Sequence, residues 1–224
     1  MKLLIAVPTY DYMHFQFVEC LTKLIRKLDE DEVDYELALQ GGTLVYVGRD
    51  KLARKAIDGG FTHVLWLDSD MIFTEDLLDN LMECGKPFVT GIAHGRRAPH
   101  MSCIFKKIYP MVDRWEGCEY PHEPFKIGGC GFACVLIKTQ LIETVFKANG
   151  TCFFPMRELG EDLAFCKRAL DLNFEIWAEP TVQLGHIGHI TVYPEYQDLY
   201  ENSVQNFKEV YYADESKTRT QNNN

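Results

Sequence analysis

The stretch His63-Val64-Leu65-Trp66-Leu67-Asp68-Ser69-Asp70 runs from five residues of strand-like character straight into two carboxylates. A short apolar run bounded by turn residues fits a strand buried on both faces, and Gly59-Gly60 punctuates it upstream. Towards the N-terminus, Leu52, Ala53, Ala56 and Ile57 recur at helical spacing and predict a helix over residues 49–57. Before it, Tyr35 to Gln40 reads as a strand ended by Gly41-Gly42, and Asp29-Glu30-Asp31-Glu32 as a solvated turn. Phe17, Val18, Leu21, Leu24, Ile25 and Leu28 mark one face of an earlier helix, itself preceded by an apolar strand over residues 2–8. Towards the C-terminus, Thr74 is placed to cap a helix carrying Leu77, Leu78, Leu81 and Met82, and Pro87 to Ile92 returns as a strand. Strands over 133–137 and 174–177 and helices over 140–147 and 163–170 complete the pattern. This alternation predicts an α/β fold with a mostly parallel central sheet flanked by helices.

A chain of 224 residues, 46% of them hydrophobic, has material for one large core. One domain is therefore expected over residues 1–213, with the polar stretch 214–224 as a disordered tail. The formal net charge of −10 argues against a surface that attracts phosphate everywhere. No run approaches the roughly 20 apolar residues that span a bilayer, so no membrane partner is expected. Met1-Lys2 leads directly into an apolar run ending at Pro8, without a small-residue cleavage site, and the expected location is the cytoplasm. Eight cysteines are scattered without any Cys-x-x-Cys spacing, several inside apolar runs, and read as reduced thiols packed as small hydrophobes.

Open α/β sheets bind ligands beyond the carboxyl ends of their strands. Those ends carry Pro8-Thr9-Tyr10-Asp11, Asp68-Ser69-Asp70 and, after the run Val182-Gln183-Leu184, Gly185-His186-Ile187-Gly188-His189. Two carboxylates issuing from one buried strand repel each other unless a cation or donors compensate. Mg²⁺ or Mn²⁺ takes oxygen ligands from one or two carboxylates together with substrate phosphates, which fits an Asp-x-Asp holding a diphosphate. The competing reading is that these acids cap the turn into the following helix.

The run Val64-Leu65-Trp66-Leu67-Asp68-Ser69-Asp70-Met71 resembles the DxD segment of GT-A glycosyltransferases, particularly small family-2-like members encoded by bacteriophages and bacteria. Ala6-Val7-Pro8-Thr9-Tyr10-Asp11 looks like their first strand and nucleotide-binding loop, and Gly160-Glu161-Asp162-Leu163-Ala164-Phe165-Cys166 like the segment with the catalytic base. Gly185-His186 looks like the late histidine of their metal site, so the resemblance extends over residues 2–190. It implies a single GT-A (nucleotide-diphospho-sugar transferase, Rossmann-like) domain, with a nucleotide-diphosphate sugar as donor and Mn²⁺ or Mg²⁺ as cofactor. For a phage-encoded member the location would be the host cytoplasm. Pro8, Thr9, Tyr10 and Asp11 would surround the nucleoside, Asp68 and Ser69 would serve the donor, and Asp70 and His186 would hold the metal. Arg49 and Arg54 fall where the family has a basic helix facing the nucleotide. Related sequences often read Ala-Arg-Asn there, whereas this one has Gly48-Arg49-Asp50, which leaves the partner of Arg49 open.

The residues also carry readings of their own. His186 and His189 have a short spacing that zinc could use, but no third histidine or matching cysteine accompanies them; His186 is the expected imidazole beside Asp70, with His189 as the alternative. Glu161 and Asp162 open a helix, where carboxylates also satisfy free N–H groups and the macrodipole. A carboxylate held there can equally serve as general base. Asp162 is the choice, with Glu161 orienting the acceptor, in a single displacement that inverts the anomeric centre. Gly128-Gly129-Cys130-Gly131 can bring backbone close to a sugar, Gly129 foremost, or form a plain tight turn.

The acceptor is less determined. Between His94 and Arg114 lie Arg96, Arg97, His100, Lys106 and Lys107 against one acid, Asp113. This basic segment 94–114 can bind the donor diphosphate, or grip DNA while Trp115 or Tyr109 stacks on a displaced base. Glycosylation of a hydroxymethylated base of phage DNA is thus one expectation, and saccharide, lipid and protein hydroxyls are the others. A nucleotidyltransferase would use the same carboxylate-held metal but needs a basic Gly-rich loop early in the chain, which is absent. A non-catalytic nucleotide-sugar binder also stays open.

Overall fold

The computed structural model describes residues 1–97, 100–115 and 120–188, and Met1–Gly188 forms one compact unit. The expected tail over 214–224, the boundary at 213 and His189 lie outside the described residues. The order is β1 (Lys2–Pro8), α1 (Phe15–Glu30), β2 (Asp34–Gln40), α2 (Val45–Asp58), β3 (His63–Leu67), β4 (Met71–Ile72), α3 (Leu77–Glu83) and β5 (Phe88–Ile92). There follow β6 (Ile104–Lys107), β7 (Asp113–Arg114), β8 (Phe125–Ile127), β9 (Gly129–Cys130), β10 (Cys134–Lys138), α4 (Thr139–Asn149), α5 (Glu161–Asp171), β11 (Ile176–Gln183) and β12 (Gly185–His186).

Seven strands form the central sheet in the order β2-β1-β3-β10-β5-β11-β8. β1, β2, β3, β5 and β11 run the same way, and β10 and β8 run against them. The expected mostly parallel sheet is thus found. The reversed β10 between β3 and β5 marks where the regular βαβ alternation ends.

Side chains alternate across each strand, so the sheet has two apolar faces. Leu4, Ala6, Val64 and Trp66 point towards α2, α4 and α5, while Leu3, Ile5, Val7, Leu65 and Leu67 point towards α1 and α3. A sheet buried on both faces requires strands that are apolar at every position, which is what residues 3–7 and 64–67 provide. On the first face Trp66, Phe132, Phe153 and Phe165 stack and cross within 4.7–6.0 Å.

Smaller differences from expectation have local causes. Thr74 does not cap α3: the N-cap is Asp76, and the Thr74 hydroxyl donates to the Asp76 carboxylate instead. The acids at 29–32 straddle the end of α1, where Asp29 accepts from the Tyr35 hydroxyl (2.8 Å) and Asp31 from Lys27 (2.6 Å). The seven cysteines among the described residues are free thiols, five of them buried, as a packing role requires. Among the described residues no helix is long and apolar enough to cross a membrane.

Candidate functional site

Because β1 and β3 are parallel neighbours, Pro8 and Asp68 emerge on the same edge of the sheet. The chain leaving β1 is tied to its neighbour by Thr9 N–H donating to Gln40 O (2.9 Å). Asp68 is held by its own N–H donating to Ala133 O (3.0 Å), just before β10 begins. Between these anchors opens a cavity of about 390 Å³, lined by Pro8 to Asp11 from the first loop, Asp68 to Asp70 from the β3 end, and Arg49, Arg96 and Glu161 from the sides.

Arg49 shares a helical face with Leu52, Ala53 and Ala56, so α2 packs it inward and leaves it 2% exposed. Its guanidinium lies 5.1 Å from the Phe132 ring centre, donates from Nη2 to Asp68 Oδ1 (2.8 Å), and sets Nε 3.7 Å from Glu161 Oε1. Among the described residues Nε and Nη1 have no hydrogen-bond partner, and the charge is balanced by the Asp68 and Glu161 carboxylates. Burial pushes the Asp68 carboxyl up, with Asp70 and Glu161 adding to it, and Arg49 offsets part of the rise. Asp50 has separate work: it accepts from the Thr151 hydroxyl (2.5 Å) and from the N–H groups of Cys152 (2.9 Å) and Phe153 (2.8 Å). The departure Gly48-Arg49-Asp50 therefore anchors the loop before α5 through Asp50 while Arg49 faces the carboxylates.

Asp70 and His186 are 116 positions apart and meet because β12 pairs antiparallel with β4, His186 opposite Met71. His186 Nε2 lies 3.3 Å from Asp70 Oδ2, and Nδ1 lies 2.8 Å from His94 O. A carbonyl can only accept, so Nδ1 carries the hydrogen and Nε2 is turned towards Asp70, the tautomer a metal-ligating imidazole needs. Arg96 Nη1 lies 2.5 Å from the same Asp70 oxygen. Burial raises the Asp70 carboxyl, but the His186 bond and the charges of His186 and Arg96 outweigh it and hold it below the ordinary range. The Asp70 contact correspondingly raises His186. Among the described residues no three His, Cys, Asp or Glu side chains converge as a metal cage. One carboxylate and one imidazole with open positions beside a cavity suit a cation that shares its shell with phosphate and water.

Asp162 sits in the first turn of α5, whose N-cap is Gly160 and whose cap position donates no side-chain bond. One oxygen of Asp162 accepts from Leu163 N–H (2.7 Å), and the other lies beside Gly131, where a Cβ would be in ordinary van der Waals contact with it at 3.7 Å. Burial first, and the neighbouring Glu161 second, push the Asp162 carboxyl up to about 6.

No family model and no curated protein matches the sequence. Solved structures do match by shape. A197 from STIV matches with a TM-score of 0.58 at 17% identity, over 84% of this chain and 87% of that one. GalNAc-T7, crystallised with UDP, GalNAc and Mn²⁺, matches at 0.54 and 8% identity over 85% of this chain, which spans 44% of that protein's chain. The catalytic domain of Drosophila beta1,4galactosyltransferase 7, in complex with xylobiose, matches at 0.51 and 12% identity, over 88% of this chain and 78% of that one. The chain has the GT-A fold.

Within this GT-A fold, Pro8, Thr9, Tyr10, Asp11, Arg49, Asp68, Ser69, Asp70 and Glu161 converge on one cavity, with His186 against Asp70 and Asp162 next to Glu161 in the chain. Arg54 does not join them. It is one turn further along α2, exposed, with its guanidinium 4.9 Å from the Phe146 ring of α4. Gly129 is not at the cavity either: it pairs with Phe105 in the small sheet, and a Cβ there would meet Ile108 Cγ2 at 2.9 Å. The glycine run serves backbone packing, which is neither the sugar contact nor the plain tight turn expected for it: a Cβ on Gly128 would fall 2.5 Å from Lys106 O.

The basic segment is also dispersed. Arg96 is on Asp70, Arg114 donates to Ser102 O (2.8 Å), and Lys106 lies 5.1 Å from the Trp115 ring centre. Lys106 and Lys107 are consecutive in β6 and so project to opposite sides. Trp115 packs against Phe125 (5.0 Å) with its indole nitrogen buried, which removes it as a stacking platform for a base. Gln40 is a cavity residue to which the sequence reading gave no role, and among the described residues Arg96 is the one member of the basic segment 94–114 that lines the cavity. Gln40 ends β2 beside β1, so the strand-end rule reaches it; nothing in the sequence joins Arg96 to Asp70.

Proposed function

We propose that this chain is a metal-dependent glycosyltransferase that moves a sugar from a nucleotide-diphosphate donor to an acceptor hydroxyl with inversion. The observation that carries the reading is the imidazole of His186, fixed by His94 O and turned onto Asp70 at the rim of a strand-end cavity. Support from outside is the shared fold with GalNAc-T7, a protein crystallised with UDP, GalNAc and Mn²⁺. A carboxylate oxygen and an imidazole nitrogen fit Mn²⁺ or Mg²⁺, and such a cation supplies charge stabilisation for a leaving diphosphate.

The rest is done by the chain's own groups. Pro8 to Asp11, Asp68 and Ser69 enclose the nucleotide, and the charge of Arg49 behind Asp68 adds to the positive field at its phosphates. Asp162 takes the acceptor proton: a carboxyl near 6 is mostly ionised at neutral pH yet more basic than an exposed aspartate. Glu161, held near Arg49, orients the acceptor on the same side. Attack by the acceptor from the side opposite the leaving diphosphate gives inversion in one step. A saccharide, lipid or protein hydroxyl is favoured over DNA as acceptor, because Arg96 sits on Asp70, Arg114 on Ser102 O and Lys106 over Trp115, which divides the basic segment between separate partners. The test is a thermal-shift panel of nucleoside diphosphates and nucleotide sugars with and without Mn²⁺. Stabilisation by one nucleotide sugar only when Mn²⁺ is present is expected, and metal-independent turnover would remove the metal from the proposal.

A further inference from the structure

We propose that Arg96 is an internal counter-ion of the metal site: its guanidinium holds the Asp70 ligand oxygen while no metal is bound, and gives that oxygen up when the cation and the donor diphosphate arrive. The inference rests on the reading of Asp70 and His186 as metal ligands. Its basis is that a single oxygen, Asp70 Oδ2, faces both Arg96 Nη1 at 2.5 Å and His186 Nε2 at 3.3 Å. A divalent cation bound to that oxygen and to Nε2 would sit within a few ångströms of the guanidinium. A +2 and a +1 charge that close repel, so the cation and the guanidinium compete for the Asp70 oxygen.

The local structure lets the side chain leave while the backbone stays. The Arg96 side chain is 49% exposed, and among the described residues Asp70 is the acceptor that holds its Nη1. Its backbone is packed: a Cβ added to Gly188 would lie 3.1 Å from Arg96 Cβ and 3.3 Å from Arg96 O, so the strand end that carries His186 is seated against it. Arg49, the other arginine lining the cavity, is buried and bound to Asp68, and is not free to exchange. Once displaced, Arg96 can take the phosphate oxygens of a bound donor in the same cavity, where a guanidinium binds in a bidentate manner. This means that metal binding without nucleotide is opposed and metal binding with nucleotide is favoured.

The experiment is Mn²⁺ titration of the full chain, followed by the electron paramagnetic resonance signal of free Mn²⁺, first without nucleotide and then with UDP or GDP, whichever stabilises the protein. Arg96→Gln is expected to bind Mn²⁺ several-fold more tightly than the parent without nucleotide, and to bind the diphosphate several-fold more weakly when Mn²⁺ is saturating. Arg96→Lys keeps the charge and should stay close to the parent in the first measurement. Unchanged or weaker nucleotide-free Mn²⁺ affinity in Arg96→Gln overturns the proposal, as does equal tightening in Arg96→Lys, which would mean relief of crowding and not of charge. Asp70→Asn separates this from failure of the underlying site. If it loses Mn²⁺ while Arg96→Gln gains nothing, only the counter-ion role falls. If the parent and Asp70→Asn bind Mn²⁺ equally, or neither binds it even with nucleotide, the metal site falls and the counter-ion role with it. Circular dichroism of each variant confirms the fold before titration.

Discussion

At the residue scale the decisive group is Asp162, because its two candidate roles predict opposite signs. As a helix-start carboxylate it would stabilise α5, and removing its charge would cost stability; as a base held in a desolvated position beside Glu161 it is an electrostatic burden on the fold. Its carboxyl is raised from the ordinary value of 3.8 to about 6, so between those values the folded protein binds more protons than the unfolded chain. Stability from this group is thus present at low pH and lost as pH rises through about 6. Asp162→Asn keeps an oxygen to accept from Leu163 N–H but cannot ionise. We expect its melting temperature, relative to the parent, to increase between pH 4 and pH 7, while turnover at pH 7 drops by about 10²–10⁴-fold. In the parent, kcat/KM should climb with pH through about 6 as the carboxylate forms. A melting temperature that instead falls at every pH would assign the residue to capping. Arg49 gives a second test: Arg49→Met leaves Asp68 and Glu161 without their shared cation. Breaking a buried pair costs about 3–5 kcal/mol, and the low end is expected in urea denaturation because the Asp68 side chain keeps 31% of its exposure.

At the element scale, the first half of the chain was legible because its strands obey one rule: central strands between two helical layers are apolar at every position. β3 is found over the residues expected for it, and β1, β2 and β5 within one residue of the expected limits. The helical spacing that marked Leu52, Ala53 and Ala56 continues three residues back to Arg49, so its burial was readable in the periodicity. Its acidic partners, Asp68 and Glu161, lie elsewhere in the chain, which is why the local sequence leaves them open. The segment 93–132 was hidden for a different reason. β6, β7, β8 and β9 are two to four residues long, too short to show a period, and β9 is held by close backbone approach to β6. Gly128→Ala tests that approach: a Cβ there meets backbone at Lys106 and Lys107 within 2.5–2.8 Å, which no side-chain rotation relieves. Forced separation of packed backbone costs about 1–3 kcal/mol, so a midpoint shift of that size in urea is expected, with donor affinity changed far less than stability. A neutral substitution would show that the small sheet adapts freely.

At the scale of the whole molecule, the fold places ligand groups from distant parts of the sequence at one sheet edge, yet supplies few of them to a metal. The turn between β3 and β4 contributes Asp70 and β12 contributes His186, and among the described residues no third His, Cys, Asp or Glu completes a cage. A hard divalent cation needs about six ligands, so the remainder must come from water and from the diphosphate of the donor. The consequence is thermodynamic: metal and nucleotide must bind as a coupled pair. Linkage requires that the factor by which a nucleoside diphosphate raises Mn²⁺ affinity equal the factor by which Mn²⁺ raises diphosphate affinity. A coupling of about tenfold or more, or about 1.4 kcal/mol, is the expected size for shared ligands. Calorimetric titrations of each ligand in the absence and in the presence of the other measure both factors independently. His186→Ala leaves one protein ligand and should lower both affinities measured together, while leaving diphosphate binding without metal nearly unchanged, because the imidazole faces Asp70 and not the nucleotide loop. Chelation of the cation should abolish turnover and release the nucleotide in the same step. Equal Mn²⁺ affinity with and without nucleotide would mean that the cation has found a complete cage elsewhere, and the strand-end site would then lose its metal.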